Sequence, residues 1–497
     1  MKRYIVALDE GTTSARAVVY DVSEKKIIST AAHTFELSYP EPGWVEADAL
    51  SIWGAQSASL GEVIAESGVS ADEIYGIGVT NQRESVLIWD KKSGKPLHNA
   101  IIWQCRRTAD YCEYLRSDPG VVKMIKQRTG LTVDSYFSAT KLAWLLDNVE
   151  GAREKALRGE ILAGTLDSYI IYRLTEGKSH VTDVTNASRT MLYNINEMCW
   201  DKELLRLFRI PEEILPEVID SDAIAGKGTA VKGAPVICGI LGDQQAALFG
   251  QACFDKGDAK NTYGTGCFIL VNTGEKAVYS ENNLITTIGW RRQGKTVYAI
   301  EGSVFNAGSA VQWLRDKLDF MKSSEDSERM ARAAKNGDGT PGCDGVYVVP
   351  AFTGLGAPYW RSEARGVITG ITRNTDKFHI VRAVLESMAY STKDVLDCIE
   401  ADLGSRIMAV RADGGASRND FLMEFQADIS GLKVLRPECT ESTVMGAVYM
   451  CGMGLGVWKS EEEIKSLVRV EKEFVPTLSK DAASKLYSGW RQAVSKA

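Results

Sequence analysis

From Tyr4 to Asp21 an apolar run, Ile5-Val-Ala-Leu8, reaches the acidic pair Asp9-Glu10, passes through Gly11, Thr12, Thr13 and Ser14, and returns as Ala17-Val-Val-Tyr20. Apolar runs bounded by Gly and small hydroxyl residues predict a strand, a tight polar turn and a second strand. The same pattern recurs from Lys260 to Thr273, where Asn261-Thr-Tyr, Gly264-Thr-Gly266 and Cys267-Phe-Ile-Leu-Val follow one another. Two such hairpins far apart in the chain predict two similar halves, each presenting a turn to a shared cleft. The likeness is one of pattern rather than of residue identity.

Between the hairpins, residues 44–66 read as a helix, and residues 74–79 as a strand ending on Thr80-Asn-Gln-Arg-Glu84. Strands are also expected over 86–89 and 100–103, the latter ending on Gln104-Cys-Arg-Arg107. Tyr136 and Phe137 precede a helix over 138–150, with Leu142, Leu145, Leu146 and Val149 on one face, and residues 163–189 read as scaffold of mixed helix and polar loop. A strand over 234–242 meets a helix at Asp243, which suits either a helix cap or a strand-end general base. Farther on, a helix starts near Gly308 and runs through Gln312, a buried strand covers 346–352, and a long amphipathic helix covers 379–400. Residues 408–419 read as strand, the pair Gly414-Gly415 and a helix start, with Phe421, Leu422, Phe425 and Ile429 as its buried stripe. Strands that finish in polar clusters are typical of α/β sheets, whose ligands lie beyond strand ends.

A chain of 497 residues exceeds one core, so two or three domains are expected. With 44% hydrophobic and 25% charged residues it has ordinary globular composition. Its 58 basic and 65 acidic residues give a net charge of -7, without long runs of one sign. This argues against nucleic acid or an anionic membrane as partner, and positive charge for an anionic substrate must be local. Ten cysteines lie scattered without a C-x-x-C pair, beside only four histidines, which argues against disulfides and structural zinc and for a reducing compartment. No stretch has the length of a membrane span, and the first apolar run is too short for a signal peptide. Ser495-Lys-Ala497 lacks the final Leu of a peroxisomal signal, so the expected location is the cytoplasm.

The first turn can hold an anion on backbone N–H groups and hydroxyls, with Arg16 adding a cationic fork. Asp9, at the end of its strand, is a hard oxygen ligand where a magnesium ion bridging phosphates would need one. Arg83, Glu84 and Trp103 are candidates for one pocket, and Gly414-Gly415 would admit a flat ring or ribose close to the backbone.

Taken in order, Asp9-x-Gly-Thr-Thr-Ser-x-Arg16, Pro42-Gly-Trp-Val-Glu46, Asn81-Gln-Arg-Glu84, Trp103-Gln-Cys-Arg-Arg107, Asn186-Ala-Ser-Arg189, Gly242-Asp-Gln-Gln245, Asn261 to Phe268, Ala351 to Trp360 and Asp413-Gly-Gly415 resemble the FGGY family of carbohydrate kinases. That family lies within the actin, hexokinase and Hsp70 superfamily. The resemblance runs from about residue 3 to 490 and implies an α/β fold of two ribonuclease-H-like, actin/hexokinase-type domains flanking an ATP and substrate cleft, at residues 1–250 and 251–497. It implies transfer of the γ-phosphoryl group of ATP to a terminal hydroxyl of glycerol. By the same resemblance Arg83, Glu84, Tyr136, Asp243 and Gln244 hold glycerol between the apolar walls Trp103 and Phe268. Thr12, Thr13, Ser14 and Arg16 grip phosphates from one side and Thr265 from the other. Gly308, Gln312, Gly415 and Asn419 line the nucleotide, Asp9 supports magnesium, and Asp243 is the base. A homodimer or higher homo-oligomer is also implied.

Position 10 is Glu where the family pattern has Gln; alternation along a strand is expected to turn it away from phosphate. Residues 225–229, Ala-Gly-Lys-Gly-Thr, stand where members inhibited by fructose 1,6-bisphosphate carry Gly-Gly-Lys-Gly-Gly-Thr-Arg, and the histidine of phosphotransferase-regulated members is missing; both controls are expected to be absent. A kinase for another polyol or sugar is the nearest alternative, and the Trp103-Phe268 pair with Arg83-Glu84 argues against a longer substrate. An ATP-driven binding module would need no such pocket and would need a client domain, for which no residues remain.

Overall fold

The computed structural model describes residues 2–361 and 363–497. Ile5, Val6, Ala7 and Leu8 are all fully buried. A run apolar on both faces belongs in the middle of a sheet, with layers on each side. It forms β1 (Tyr4–Glu10), with β2 (Ser14–Asp21) and β3 (Lys26–Thr34) antiparallel on one flank. On the other flank β4 (Ile74–Asn81) and then β6 (Val236–Gly242) run parallel, and β5 (Ile224–Lys227) closes the edge. The order is β5-β6-β4-β1-β2-β3.

The second sheet is built from β7 (Ala259–Tyr263), β8 (Cys267–Gly274), β9 (Ile285–Arg292), β10 (Lys295–Val304), β11 (Ala409–Asp413), β12 (Lys433–Pro437) and β13 (Val470–Phe474). Its order is β9-β10-β8-β7-β11-β12-β13. The antiparallel trio β10-β8-β7 continues into parallel β11 and β12, as β3-β2-β1 continues into β4 and β6. The repetition read from the two hairpins therefore holds at the level of topology. A five-stranded satellite sheet, ordered Leu37–Ser38, Glu46–Ala47, Ala100–Ile101, Val86–Asp90 and Ile161–Thr165, stands beside the first.

Helix α1 (Ala49–Ser67) starts at Asp48, whose side chain accepts from the Leu50 N–H, and ends at left-handed Gly68. Its start lies later than the expected 44, because Glu46–Ala47 pairs in the satellite sheet. The strand expected over 100–103 stops at Ile101, leaving Trp103 beyond the sheet. The strand expected over 346–352 covers only Tyr347–Val349.

The halves share helices. α2 (Asp243–Gly250) leaves β6 and touches β7, β8 and β9, whereas α6 (Ser442–Gly454), from the other half, packs on β6, β4 and β1. The two helices cross closely enough that a β-carbon on Gly250 would collide with the Ser442 carbonyl, and one on Gly446 with the Ala246 carbonyl. Only glycine permits that approach. α3 (Gly308–Asp316), α4 (Lys377–Leu403) and α5 (Asp420–Ser430) complete the second half, where Val381, Val384, Leu385, Met388, Val395 and Ile399 of α4 are buried. No described helix is long and apolar enough to cross a membrane.

Candidate active site

β4 carries the chain past Asn81 into Gln82, Arg83, Glu84 and Ser85, all buried. Glu84 has φ 61°, in the left-handed region. For a residue with a side chain that conformation costs energy and persists only where surroundings impose it. The surroundings are ionic. Arg83 Nη1 donates to Glu301 Oε2 at 2.6 Å and to Gln245 Oε1 at 3.1 Å, while Nη2 donates to Glu301 Oε1 at 3.0 Å and to the Tyr136 hydroxyl at 3.4 Å. Its Nε lies 3.2 Å from Asp243 Oδ1. Arg189 Nε donates to Glu84 Oε1 at 2.6 Å and its Nη2 to Glu301 Oε1 at 3.0 Å. No protein hydrogen bond among the described residues engages Glu84 Oε2, which leaves that oxygen as an acceptor.

Burial pushes the Glu301 carboxyl up, but Arg189 and Arg83 outweigh it and hold the group at about 2. Glu84 is raised by burial against the same two cations, and the Tyr136 hydroxyl is raised by burial. The floor is thus two guanidinium groups against two carboxylates, with Arg83, Arg189 and Glu301 essentially without solvent contact. Sequence reasoning missed Glu301 and left Arg189 without a role. The available signal was a lone carboxylate inside the apolar strand Val297 to Val304, since an unpaired charge is seldom buried.

Asp243 is the first residue of α2; Gly242 takes the N-cap position, so the capping alternative for Asp243 fails. Its Oδ1 accepts from the Gln244 N–H at 2.7 Å and its Oδ2 from Gln244 Nε2 at 2.9 Å. The side chain keeps 29% exposure, unlike the sealed charges beneath it. Trp103 stands edge-on to Tyr136 at 5.7 Å and to Phe268 at 6.1 Å, making one aromatic wall from three separate stretches. Trp103 Nε1 donates to Thr12 Oγ1 at 3.1 Å, which joins this wall to the first Gly/Thr turn.

In that turn Gly11 N donates to the Ser14 carbonyl at 2.9 Å, with Thr13 exposed. Arg16 is already paired: Nη2 donates to Asp9 Oδ2 at 2.6 Å and Nη1 to Glu441, across the two halves. Glu10 turns inward, its Oε1 accepting from Gln82 Nε2 at 2.9 Å. In the second turn Gly264 and Thr265 are exposed, and the Gly308 N–H donates to the Gly264 carbonyl at 3.0 Å. A β-carbon at Gly308 would meet that carbonyl at 2.5 Å, so glycine there lets α3 begin against the turn. Gln312 and Gly415 are exposed on the same half, and Asn419 caps α5 through the Leu422 N–H while donating to Ser327 Oγ at 3.3 Å.

The described residues contain no cluster of three or more metal-ligating side chains. Asp9 Oδ1 receives no donor from the described protein, its partner Arg16 binding Oδ2. One such oxygen fits magnesium delivered with a nucleotide, which keeps several waters and takes its other ligands from phosphates.

Two Gly/Thr turns on sheets of like topology, linked through Trp103 to Thr12 and Phe268 and standing beside a buried ionic floor with a strand-end carboxylate, form the kind of site that phosphoryl transfer requires. The family model for the FGGY family of carbohydrate kinases, N-terminal domain, matches residues 4–250, and that for the C-terminal domain matches residues 259–455. The chain belongs to this family. It is 53% identical to a glycerol kinase of Fusobacterium nucleatum subsp. nucleatum, over 99% of each chain. It is 52% identical to a glycerol kinase of Escherichia coli O7:K1, over 100% of this chain and 98% of that one. The structure matches that of Plasmodium falciparum glycerol kinase with ADP at a TM-score of 0.89 and 36% identity, over 99% of this chain and 98% of that one.

Proposed function

We propose that this chain transfers the γ-phosphoryl group of ATP to a terminal hydroxyl of glycerol, giving sn-glycerol 3-phosphate and ADP. The observation that carries this reading is the joining of a buried ionic floor to an aromatic wall through Tyr136, whose hydroxyl accepts from Arg83 and whose ring packs edge-on against Trp103. Glu84 Oε2 and the Tyr136 hydroxyl suit the hydroxyl edge of a small polyol, and Trp103 with Phe268 suits its C–H edge. A site that binds through hydroxyls rejects analogues lacking them. Arg83, with four of its N–H groups held by protein acceptors, acts by fixing Tyr136 and Asp243 as well as by its charge.

As the glycerol oxygen forms its bond to the γ-phosphorus, the bond to the ADP oxygen breaks and Asp243 takes the hydroxyl proton, an effect worth typically about 100- to 10,000-fold. Thr12, Thr13 and Ser14 meet the phosphates from one side and Thr265 from the other. Incoming phosphate competes with Glu441 for Arg16. Asp9 would hold magnesium delivered with the nucleotide, where the ion would supply positive charge against the phosphates. Gly308, Gln312, Gly415 and Asn419 line the adenosine end. Lobes of residues 1–250 and 251–497, hinged where α2 and α6 cross, close to exclude water. The reading includes a cytoplasmic location, supported by ten cysteines without a disulfide, and a homodimer or higher homo-oligomer, which sedimentation would measure.

The test is ADP release with magnesium and ATP, comparing glycerol, xylulose, gluconate, erythritol and no acceptor. Strong dependence on glycerol that collapses in Asp243→Asn supports substrate and base together. Acceptor-independent turnover that survives Asp243→Asn sinks the kinase reading, and preference for a longer sugar withdraws the pocket assignment.

A further inference from the structure

Lys260, in β7, has no solvent exposure. A buried ammonium needs an acceptor for each N–H, and this one has three. Its Nζ donates to Gln244 Oε1 at 2.5 Å, to Thr262 Oγ1 at 3.0 Å and to the Phe268 carbonyl at 3.2 Å. Because an ammonium can only donate, the Gln244 amide must turn its oxygen to Lys260 and its nitrogen to Asp243. That nitrogen is the donor that reaches Asp243 Oδ2 at 2.9 Å.

We infer that Lys260 is a positioning residue for the proton acceptor, acting through the Gln244 amide to fix the Asp243 carboxylate. The fixed orientation distinguishes the two oxygens. Oδ1 takes the Gln244 backbone N–H and faces the Arg83 cation, whereas Oδ2 meets one neutral donor, which makes Oδ2 the more basic oxygen for a substrate proton. The logic is that of a nucleophile's base held by a third group. The same ammonium, on the Phe268 carbonyl, anchors β8, which contributes Phe268 to the aromatic wall. It also faces Asp413, buried in β11, whose Oδ1 has no hydrogen-bond partner, so its charge matters to that carboxylate as well. Burial pushes Lys260 down to about 8, and Asp413 and Asp243 oppose the fall.

The inference rests on Asp243 as base, and the experiment separates the two. Steady-state kinetics with glycerol and ATP would be compared for wild type, Lys260→Met, Gln244→Leu and the double variant, with thermal unfolding of each. Outer residues that orient catalytic groups typically contribute about 10- to 100-fold, so each single variant should lose that much kcat. In Lys260→Met, which removes no glycerol contact, KM for glycerol and ATP should stay within about 3-fold, the signature of an interaction that matters in the transition state; Gln244→Leu, at a residue read as a glycerol contact, should also raise KM for glycerol. The double variant should be no worse than the poorer single one by more than about 2-fold, because both cut one relay. A folded Lys260→Met with wild-type kcat, or single effects that multiply, overturns the relay. Where Lys260→Met does not fold, Gln244→Leu decides by kcat at saturating glycerol: a loss of about 10-fold or more supports the inference, and a wild-type kcat, whatever the KM for glycerol, overturns it. A wild type without glycerol-dependent ADP release fails the underlying reading instead.

Discussion

The buried ionic floor and the exposed Gly/Thr rim, read under the proposed function as the acceptor and phosphate sites, are built on opposite principles. On the floor, Arg83, Arg189 and Glu301 have almost no exposure, every carboxylate faces a cation, and Glu84 is held in a left-handed backbone conformation. On the rim, Thr13, Gly264 and Thr265 are exposed, and the nearest cation, Arg16, is neutralised by Asp9 and Glu441. An uncharged polyol brings no strong field of its own, so its partners must be oriented and desolvated before it arrives. A nucleotide brings charge and magnesium with it, and backbone N–H groups with small hydroxyls suffice to receive them. On the proposed function, the difference assigns selectivity to the buried part and turnover to the open part.

The sharpest way to break this comparison is at the proton acceptor between the two regions. Asp243→Asn should lower kcat by about 100- to 10,000-fold, read from ADP release. Next comes the floor itself: Glu301→Gln leaves two buried guanidinium groups short of an acceptor, and removing one partner of a buried pair typically costs about 3–5 kcal/mol. Urea unfolding would measure it. The sign of its pH dependence follows from Glu301 lying at about 2 in the folded protein, below the ordinary carboxylate range. Its stabilisation is full above the unfolded value of about 4.3 and is lost as pH falls through that value toward the folded one. The gap between wild type and Glu301→Gln should therefore close between those two pH values.

A milder change tests the wall. Phe268→Ala removes the apolar side and should narrow the preference for glycerol over erythritol by about 10-fold in kcat/KM, the scale of a methylene-sized change in a pocket. On the rim, Thr13→Ala should raise KM for ATP only about 2- to 10-fold, as expected for one neutral hydrogen bond. Smallest of all, Glu10→Gln should leave ATP and magnesium dependence nearly unchanged, because Glu10 faces Gln82; titrating initial rate against magnesium in both proteins would show a shift if Glu10 entered the site.

Much of the architecture was legible because it is encoded locally. The apolar runs at 5–8 and 267–271, each beside a Gly/Thr turn, became the central hairpins of two sheets that share an antiparallel trio continued by two parallel strands. Arg83, Glu84, Tyr136, Asp243 and Gln244, which only the family resemblance implied as one set, are joined by direct contacts, whereas the residues by themselves grouped Arg83 and Glu84 with Trp103. Boundaries were less legible where tertiary pairing decided them. Glu46–Ala47 became strand rather than helix through its pairing with Ala100–Ile101, and no local pattern announces such a partner.

By itself the sequence determined the repeated strand-turn-strand pattern, the polar clusters at strand ends and the chemistry those clusters can perform, because alternation and turn residues act over a few positions. Only the tertiary structure decided which charges meet. Glu301 reaches Arg83 across 218 positions, Arg16 finds Glu441 across 425, and Lys260 lies beneath Gln244 from the other half. These meetings follow from sheet register and from the crossing of α2 and α6, and a buried charge is tolerated only where such long-range geometry supplies its partner.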